Sequence, residues 1–207
     1  MSIFYSEINL LMTRKPTEVR QEEIKKAVLE IIRTDGIKSL STKNLSIKTG
    51  ISEGAIFRHF KTKRDIILSI INDVSVNLIG NLHNIAFGNK NPRERFFDYL
   101  CNTINYLTEN NGITILLFTE ASHSNDEEMM EKLKFIFNSQ KELAGKIISD
   151  GILLGIWNDT LPIEDITMLY MGIPITHNIN LVLKKGIDFK QNYCDKMMSL
   201  LDKILEK

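Results

Sequence analysis

The stretch that decides the fold is residues 41–64, STKNLSIKTGISEGAIFRHFKTKR. Ser41 and Thr42 supply hydroxyls that can cap a short helix, and Gly50 is placed to end it, because the turn after a helix favours a residue that tolerates positive φ. Ser52 then caps a second helix, whose apolar face carries Ile56. Two short helices joined by a glycine-containing turn are the arrangement that places a recognition helix in the major groove of DNA. The stretch therefore predicts a helix-turn-helix.

The same stretch resembles the helix-turn-helix of the tetracycline-repressor (TetR) family of bacterial transcriptional regulators. The residues in register with the family pattern are Thr42, Leu45, Gly50, Ile51, Ser52, Gly54, Ile56, His59, Phe60 and Lys63. Ser46 and Thr49 depart from the pattern by replacing alanines. Ala55 stands where a hydroxyl is usual, and Phe57 stands where a tyrosine usually reaches a phosphate. These last two changes remove expected contacts with the DNA backbone, so they bear on affinity more than on the fold.

The resemblance also implies which side chains contact DNA. Family positions that hold phosphates correspond to Thr42, Lys43, His59 and Lys63, and either lysine can act by charge alone. Nearest to the base edges are Glu53, Gly54, Ala55 and Arg58. Arg58 can make a bidentate pair with guanine, and Phe57 can contact a thymine methyl. The predicted DNA-binding residues are Thr42, Lys43, Ser52, Glu53, Gly54, Ala55, Phe57, Arg58, His59 and Lys63.

Charge is distributed unevenly along a chain whose formal net charge is zero. Residues 12–64 hold 13 Lys and Arg against 6 Asp and Glu, whereas residues 65–207 hold 13 against 19. Neutralisation of phosphates by Lys and Arg supplies most of the sequence-independent affinity for DNA. A basic helix-turn-helix on an acidic remainder is therefore the expected footprint of a DNA-binding protein. The alternative is that these basic residues only solvate helix surfaces.

Composition favours an all-α protein in the cytoplasm. The 207 residues are 43% hydrophobic and 25% charged, and they include only 11 Gly and 4 Pro, which favours helices over short strands. Cys101 and Cys194 have neither metal-ligand nor redox spacing, which favours reduced thiols over a disulfide. No apolar run approaches the roughly 20 residues that cross a bilayer, and residues 1–11 lack the order of a signal peptide.

Helical periodicity predicts about nine helices in three regions. These are an N-terminal extension at 1–16, a three-helix helix-turn-helix domain at 17–64, and an effector-binding and dimerisation domain at 65–207. In the extension, either Met12 is the true start or residues 14–15 form a basic arm that touches DNA. Thr62 is placed to cap a long helix that joins the two domains. Asn125 is placed to cap another long helix with acidic residues in its first turn.

Two apolar stripes near the carboxyl end carry the prediction of a homodimer. One runs at helical spacing from Ile166 to Leu181 and the other from Tyr193 to Leu205. Such stripes can simply cover the chain's own core. In the family, however, the two C-terminal helices pair with those of a second subunit, and two-fold symmetry allows a helix-turn-helix to read a palindrome. The residues assigned to the dimer interface are Tyr170, Ile173, His177, Leu181, Met197, Leu201 and Ile204. Pro174 is expected to kink the first helix.

The resemblance further implies a pocket for a small-molecule effector in the second domain. Apolar residues between 96 and 137 suit an apolar cavity, but a solid core requires the same residues. Polar residues near apolar faces either orient a largely hydrophobic ligand or are simply solvated. The candidate effector-pocket residues are Leu100, Ile104, Leu117, Glu120, His123, Phe137, Lys141 and Asn178. In the family's mode of action, effector binding tilts the long helix and separates the recognition helices, so effector and DNA oppose each other.

Other classes of protein fit the sequence less well. His residues are scattered, and only Glu120, His123 and Glu127 approach a metal-ligand set. We find no Gly-rich phosphate loop, no Gly-x-Ser-x-Gly and no nucleophile with an evident base, so we expect neither an enzyme nor a cofactor. The main alternative is a helical protein-interaction module with a degenerate helix-turn-helix, since Ala55 and Phe57 lack hydroxyls. The expected partners are a palindromic operator in double-stranded DNA, a second copy of the chain and an unidentified small effector, without a membrane.

Overall fold

The computed structural model describes residues 16–110, 112–183 and 192–206, and every regular element in these ranges is helical. The nine α-helices counted over these ranges are α1 (Thr17–Asp35), α2 (Thr42–Thr49), α3 (Glu53–His59), α4 (Lys63–Ala86), α5 (Pro92–Glu109), α6 (Ile113–Ser124), α7 (Glu127–Leu153), α8 (Ile163–Leu183) and α9 (Tyr193–Leu205). The chain divides into two compact units, the first ending at Ile67 and the second beginning at Leu68. The all-α fold is thus confirmed. Residues 1–15, with both predictions for the extension, lie outside the described residues.

The first unit is built on local capping. Ser41 Oγ accepts the N–H of Asn44 at 3.1 Å, and Ser52 Oγ accepts the N–H of Ala55 at 3.2 Å, so both predicted caps are present. Gly50 ends α2 with a φ of 69°, a conformation that glycine adopts without strain. Helices α1 to α3 bury a shared set of aliphatic side chains, Ile24, Val28, Ile31, Ile32, Leu45 and Ile56. Capping sets the helix ends, and this small core holds the three helices together.

Helix α4 begins with a reciprocal cap and contains a turn of π-helix. The Thr62 N–H donates to the Asp65 carboxylate at 2.9 Å, and the Asp65 N–H donates to the Thr62 hydroxyl at 3.1 Å. The predicted cap at Thr62 is therefore present. The backbone is π-helical over Ser75–Ile79 and α-helical on either side. Such a turn takes in one extra residue and is frequent at functional sites, and this one contains the buried Leu78.

The second unit packs around three aromatic rings. The Phe96 ring lies 5.4 Å from that of Trp157, edge-on, and 4.2 Å from that of Tyr170, stacked, as measured between ring centroids. All three side chains are at most 2% exposed. The Trp157 ring lies directly over Gly151, where a Cβ atom would come within 2.0 Å of it. Only glycine therefore fits at this position.

Charged hydrogen bonds join α5 to both α7 and α9. Arg95 donates to Asp150 on α7 at 2.9 Å, and Arg93 donates to both carboxylate oxygens of Asp202 on α9 at 3.0 and 2.5 Å. Lys146 donates to Asp150 as well. Burial on its own would raise the pKa of Asp150, but the hydrogen bonds from Lys146 and Arg95 outweigh it and lower that pKa overall. These contacts therefore stabilise the charged carboxylate.

One predicted cap is displaced by a residue. Asp126 caps α7 by accepting the N–H of Met129 at 3.1 Å, whereas Asn125 ends α6 with a φ of 53°. The assignment of Asn125 as the cap of α7 was wrong. Asparagine is favourable both before a helix and in the left-handed position after one, so the residue type alone does not indicate which neighbouring helix it serves.

Helices α4 and α8 are long and apolar enough to cross a membrane by length and composition alone, with mean hydropathies of 1.3 and 1.2. The sequence interpretation overlooked both stretches because polar residues interrupt them. Core helices of soluble proteins pass the same test, and 39% of each stretch is buried inside the protein. Length and composition alone therefore do not assign α4 or α8 to a membrane.

Candidate nucleic-acid interface and effector cavity

Helix α3 presents a polar face to solvent with one large aromatic side chain on it. Ile56 is 1% exposed, whereas Phe57 is 46% exposed. Glu53, Gly54 and Arg58 are exposed as well. Because a helix turns once every 3.6 residues, burial of Ile56 directs these neighbours outward. The side chains predicted to reach base edges are therefore accessible, apart from the half-buried Ala55.

Two of the predicted DNA contacts bind each other. The Thr42 hydroxyl donates to a Glu53 carboxylate oxygen at 2.5 Å, which joins the first residue of α2 to the first residue of α3. A hydrogen bond to a charged carboxylate is about twice as strong as a neutral one. Since a threonine hydroxyl has a single proton to donate, Thr42 must leave Glu53 before it can donate to a phosphate.

The other predicted contacts differ in how accessible they are. Lys43 is exposed, whereas His59 and Lys63 are half-buried. The His59 backbone carbonyl accepts a hydrogen bond from Gln21 on α1 at 3.2 Å, and the buried His59 Nδ1 atom has no hydrogen-bond partner among the described residues. Ser52 is used as the cap of α3. Lys43 is therefore the predicted phosphate contact whose side chain is most open to solvent.

The described part of the second unit contains a cavity of about 330 Å³. Its lining residues are Leu78, Leu107, Thr114, Ile115, Phe118, Phe137, Gln140, Met171, Pro174, Ile175 and Asn178. None of these side chains is charged, and only Thr114, Gln140 and Asn178 are polar. The volume lies at the lower end of the range for small-molecule sites. The cavity therefore fits a small, uncharged and largely apolar molecule.

Asn178 has an unused hydrogen-bonding group beside this cavity. The side chain is 7% exposed, and its amide nitrogen donates to the Thr114 hydroxyl. Its Oδ1 atom is buried with no hydrogen-bond partner in the described part of the chain. A buried carbonyl oxygen without a donor is unfavourable, at a cost of roughly 1–3 kcal/mol. A ligand N–H or O–H that reached this oxygen would remove that cost.

The structure places only part of the predicted effector set at the cavity. Phe137 and Asn178 line it, whereas Leu100, Ile104 and Leu117 are buried in the core away from its wall. The remaining three predicted residues, Glu120, His123 and Lys141, also lie outside the lining. Lys141 pairs with Glu164 at 2.7 Å. Helical periodicity shows which face of a helix is apolar, but it does not show which part of that face meets a void.

The cavity residues that sequence reasoning missed lie on five helices, three on α6, three on α8 and one each on α4, α5 and α7. They are Leu78, Met171, Pro174 and Ile175, together with Leu107, Thr114, Ile115, Phe118 and Gln140. Pro174 was a usable signal, because a proline inside a helix lacks a backbone donor and often marks a functional position. A π turn has no comparable sequence signature. Among the described residues, no three His, Cys, Asp or Glu side chains come together to hold a metal ion.

The predicted dimer residues divide into two groups. Ile173, Leu181 and Met197 are half-buried and Ile204 is 43% exposed, whereas Tyr170, His177 and Leu201 are at most 2% exposed. His177 Nε2 lies 2.9 Å from the Thr108 hydroxyl, and burial lowers the pKa of this histidine. The last three side chains are covered by the chain itself and have no surface to offer a partner, which corrects their assignment. An apolar stripe along a helix can face the core of its own chain, so the stripe alone does not identify interface residues.

Large apolar side chains nevertheless remain exposed on the outer sides of the last two helices. Leu169, Ile175, Ile179 and Leu183 on α8 and Leu200 and Ile204 on α9 are each at least 40% exposed, and we name these six residues the C-terminal face. Exposed apolar side chains that group along a helix often mark a site of interaction. The face is therefore a candidate binding surface in the second unit.

Comparison with known proteins bears on both units. Residues 24–70 match the family model for bacterial regulatory proteins of the tetR family. Nucleoid occlusion factor SlmA of Idiomarina loihiensis is 26% identical over 119 residues, which is 58% of this chain and 61% of that protein. SlmA of Vibrio atlanticus is 27% identical over 126 residues, or 60% and 63%. The chain thus spans less than two thirds of the length of these curated relatives.

Solved structures share the fold over nearly the whole chain. The ketosteroid transcriptional regulator KstR2 of Mycobacterium tuberculosis has a TM-score of 0.77 at 14% identity, covering 91% of this chain and 95% of its own. The regulator FadR of Bacillus subtilis in complex with stearoyl-CoA has a TM-score of 0.67 at 16% identity, covering 88% and 96%. The family model covers the helix-turn-helix, and the remaining helices follow the fold of TetR-type regulators. Residues 24–70 are thus similar to the helix-turn-helix of the tetR family, and the chain has the fold of TetR-type regulators.

Proposed function

We propose that this protein is a transcriptional repressor that binds a palindromic operator as a homodimer and is released by a small, largely apolar effector. The observation that carries the proposal is the exposed face of α3, with Arg58 accessible, in a part of the chain where Lys and Arg exceed Asp and Glu. Residues 17–64 would bind DNA, and residues 65–207 would bind effector and form the dimer. A protein with these roles works in the cytoplasm.

DNA binding is tested by mixing the purified protein with fragments of the source genome near physiological salt and sequencing the bound fraction. We expect enrichment of a palindrome, with affinity that falls steeply as salt rises because counterions are released from phosphates. If the folded, ligand-free protein enriches no fragment, this result would favour the alternative of a protein-interaction module with a degenerate helix-turn-helix. That alternative draws its support from Ala55 and Phe57, which lack hydroxyls.

Dimerisation is supported by the C-terminal face. Large exposed apolar side chains on the last two helices are what a two-fold helical interface buries. We expect twice the mass of one chain by light scattering at micromolar concentration. Leu169→Glu and Leu200→Glu should each return the protein to one chain, because they place charge on the face without disturbing the core. Wild-type protein with a monomer mass would reject the dimer.

The effector would occupy the cavity and donate a hydrogen bond to Asn178 Oδ1. Stearoyl-CoA, present in the Bacillus subtilis FadR structure, carries phosphates that need cations, whereas the described residues that line this cavity include no charged side chain. We therefore propose an uncharged ligand that has fewer atoms than stearoyl-CoA. Such a ligand and DNA would weaken each other's binding by the same factor, on the order of 5 to 150-fold. A ligand that occupies the cavity and leaves operator affinity unchanged would refute this coupling.

A second candidate function follows from the relatives named nucleoid occlusion factors. As that name implies, such a role would act on the nucleoid as a whole rather than on one gene. The genomic selection separates the two roles: a few enriched sites beside promoters support repression, whereas many sites spread over the chromosome support nucleoid occlusion.

A further inference from the structure

Cys101 and Cys194 are distant in sequence but are neighbours in the second unit. Cys101 lies on α5 and Cys194 on α9, both thiols are free and half-buried, and they lie close enough for each to shift the pKa of the other. Arg93 and Asp202 join the same two helices. Cys101 lies eight positions after Arg93 on α5, and Cys194 lies eight positions before Asp202 on α9. The two contacts therefore share one antiparallel register, which sets the thiols opposite each other.

We propose that Cys101 and Cys194 are a redox-modification site, at which a hydroperoxide converts the two thiols into a reversible intrachain disulfide between α5 and α9. Neither half-buried thiol is sealed in the core, so a small peroxide can reach the pair. The ion pair between Arg93 and Asp202 holds the helices in the register that the bond requires. This inference does not depend on the proposed repressor function.

The two sulfur atoms have different roles. The hydrogen bond from the Cys101 thiol lowers the pKa of Cys194, although burial and Asp195 act in the opposite direction. The same bond, followed by burial, raises the pKa of Cys101. Since the thiolate is the nucleophilic form of cysteine, Cys194 is the attacking residue and Cys101 the resolving one.

The reaction proceeds in two balanced steps. The Cys194 thiolate attacks one oxygen of the hydroperoxide, the O–O bond breaks, and the other oxygen leaves as an alcohol or water after taking up a proton. The resulting sulfenic acid is attacked by the Cys101 sulfur, so the S–S bond forms, the S–O bond breaks and the hydroxide leaves as water with the Cys101 proton. In total, two thiols lose two electrons and one peroxide gains them.

The first experiment counts thiols in the reduced full-length protein before and after one equivalent of hydrogen peroxide. We expect oxidised protein to take up no maleimide, to take up two after dithiothreitol, and to yield one peptide pair joined through Cys101 and Cys194. Because the bond closes a long loop, the thermal midpoint should rise by roughly 5 to 15 °C on oxidation. Thiols that stay reactive, oxidation to sulfinic acid, or a disulfide between two chains would each overturn the proposal.

Single variants test the assigned roles. In Cys101→Ser, peroxide should leave a sulfenic acid on Cys194 that dimedone traps. In Cys194→Ser, labelling of Cys101 by dimedone should be slower, because burial still raises the pKa of its thiol. The opposite order would reverse attacking and resolving residues and overturn the assignment. Circular dichroism checks that each variant is folded. The thiol count of the wild-type protein tests the proposal even if the variants do not fold.

Discussion

The helix-turn-helix unit and the larger unit use polar side chains in different ways. In the first unit, Ser41 and Ser52 bond to backbone groups three residues away, and the buried Lys25 pairs with Glu22 on the same helix. In the second unit, four of the six buried polar side chains bond to a helix that is distant in sequence. These four are Arg95, His177, Asn178 and Asp202, whereas Thr103 and Thr167 bond to carbonyls of their own helices. The caps and the buried lysine of the first unit thus bond locally, whereas most buried polar side chains of the second unit bond to remote helices.

This difference predicts where substitutions do damage. A local cap stabilises one helix end, so its loss costs on the order of 1 kcal/mol and leaves the remaining elements in place. A buried bond or a tight packing contact between remote helices affects the whole core, so its loss costs more. We therefore expect the larger losses of stability in the second unit, and the clearest losses of DNA recognition in the first.

The largest expected effect is that of Gly151→Ala. The added methyl would lie 2.0 Å from the Trp157 ring, and Trp157 is itself enclosed by the core. Overpacking of this kind should lower the free energy of unfolding by about 3 kcal/mol, measured by urea denaturation followed by circular dichroism. Gly80→Ala is the matched control, because nothing lies within 4 Å of its added methyl. If both variants were equally stable, the contrast between the units would lose its strongest support.

Asp150→Asn should have the next largest effect. Arg95, whose side chain is 8% exposed, would lose its carboxylate partner, at a cost of about 2 kcal/mol at neutral pH. Because the pKa of Asp150 is lowered in the folded protein, its contribution is complete above the unfolded-state pKa and is lost as pH falls through the lower folded-state value. The variant should lack this acid-dependent loss, which urea titrations at several pH values would show.

Glu164→Gln is the control for Asp150→Asn. The pKa of Glu164 is also lowered, through the hydrogen bond from Lys141, but this pair is on the surface. We expect its stability at neutral pH to match that of the wild type, since exposed ion pairs are screened by solvent. A loss as large as that of Asp150→Asn would mean that burial does not separate the two pairs.

Arg58→Ala and Lys63→Ala distinguish base recognition from phosphate contact in the first unit. Arg58→Ala should cost about 1–3 kcal/mol in operator binding and relax the preference at one base pair. Lys63→Ala should weaken binding to all sequences alike and reduce the salt dependence. Both variants should keep wild-type stability, and affinities for a set of single-base operator variants would separate them. Uniform losses in both would remove the distinction between their roles.

Ser52→Ala should have the smallest effect. It removes the acceptor for the Ala55 N–H at the start of α3 and should cost about 1 kcal/mol of stability. Ser46→Ala is its control, because Ser46 lies inside α2, where its hydroxyl bonds to the Lys43 carbonyl and alanine favours the helix. Hydrogen exchange of the α3 amides provides the measurement. Slower exchange in Ser52→Ala than in Ser46→Ala would contradict the role of the cap.

The same contrast explains what could be predicted from the sequence. Ser41, Gly50, Ser52 and Thr62 were placed correctly because each signal lies within a few residues of the helix end that it controls. The all-α fold followed from helical periodicity for the same reason. Where two local readings competed, as at Asn125, the sequence could not decide between them.

Remote packing was beyond the sequence. Nothing in the spacing of Cys101 and Cys194 indicates that their helices meet in register. Tyr170 and His177 follow the same apolar period as an interface residue would, yet this chain covers them itself. The cavity wall likewise depends on how α4, α6, α7 and α8 leave a space between them, which no single helix encodes.

The position of Trp157 also gives the molecule a built-in optical probe. The chain holds one tryptophan, it lies in the second unit, and it is 2% exposed. Its emission should be blue-shifted in the native protein and move to longer wavelength only when the second unit opens. Far-ultraviolet ellipticity, by contrast, sums over the helices of both units. If emission and ellipticity change at the same urea concentration, the two units unfold as one cooperative system, whereas separate midpoints identify the helix-turn-helix as an independent folding unit.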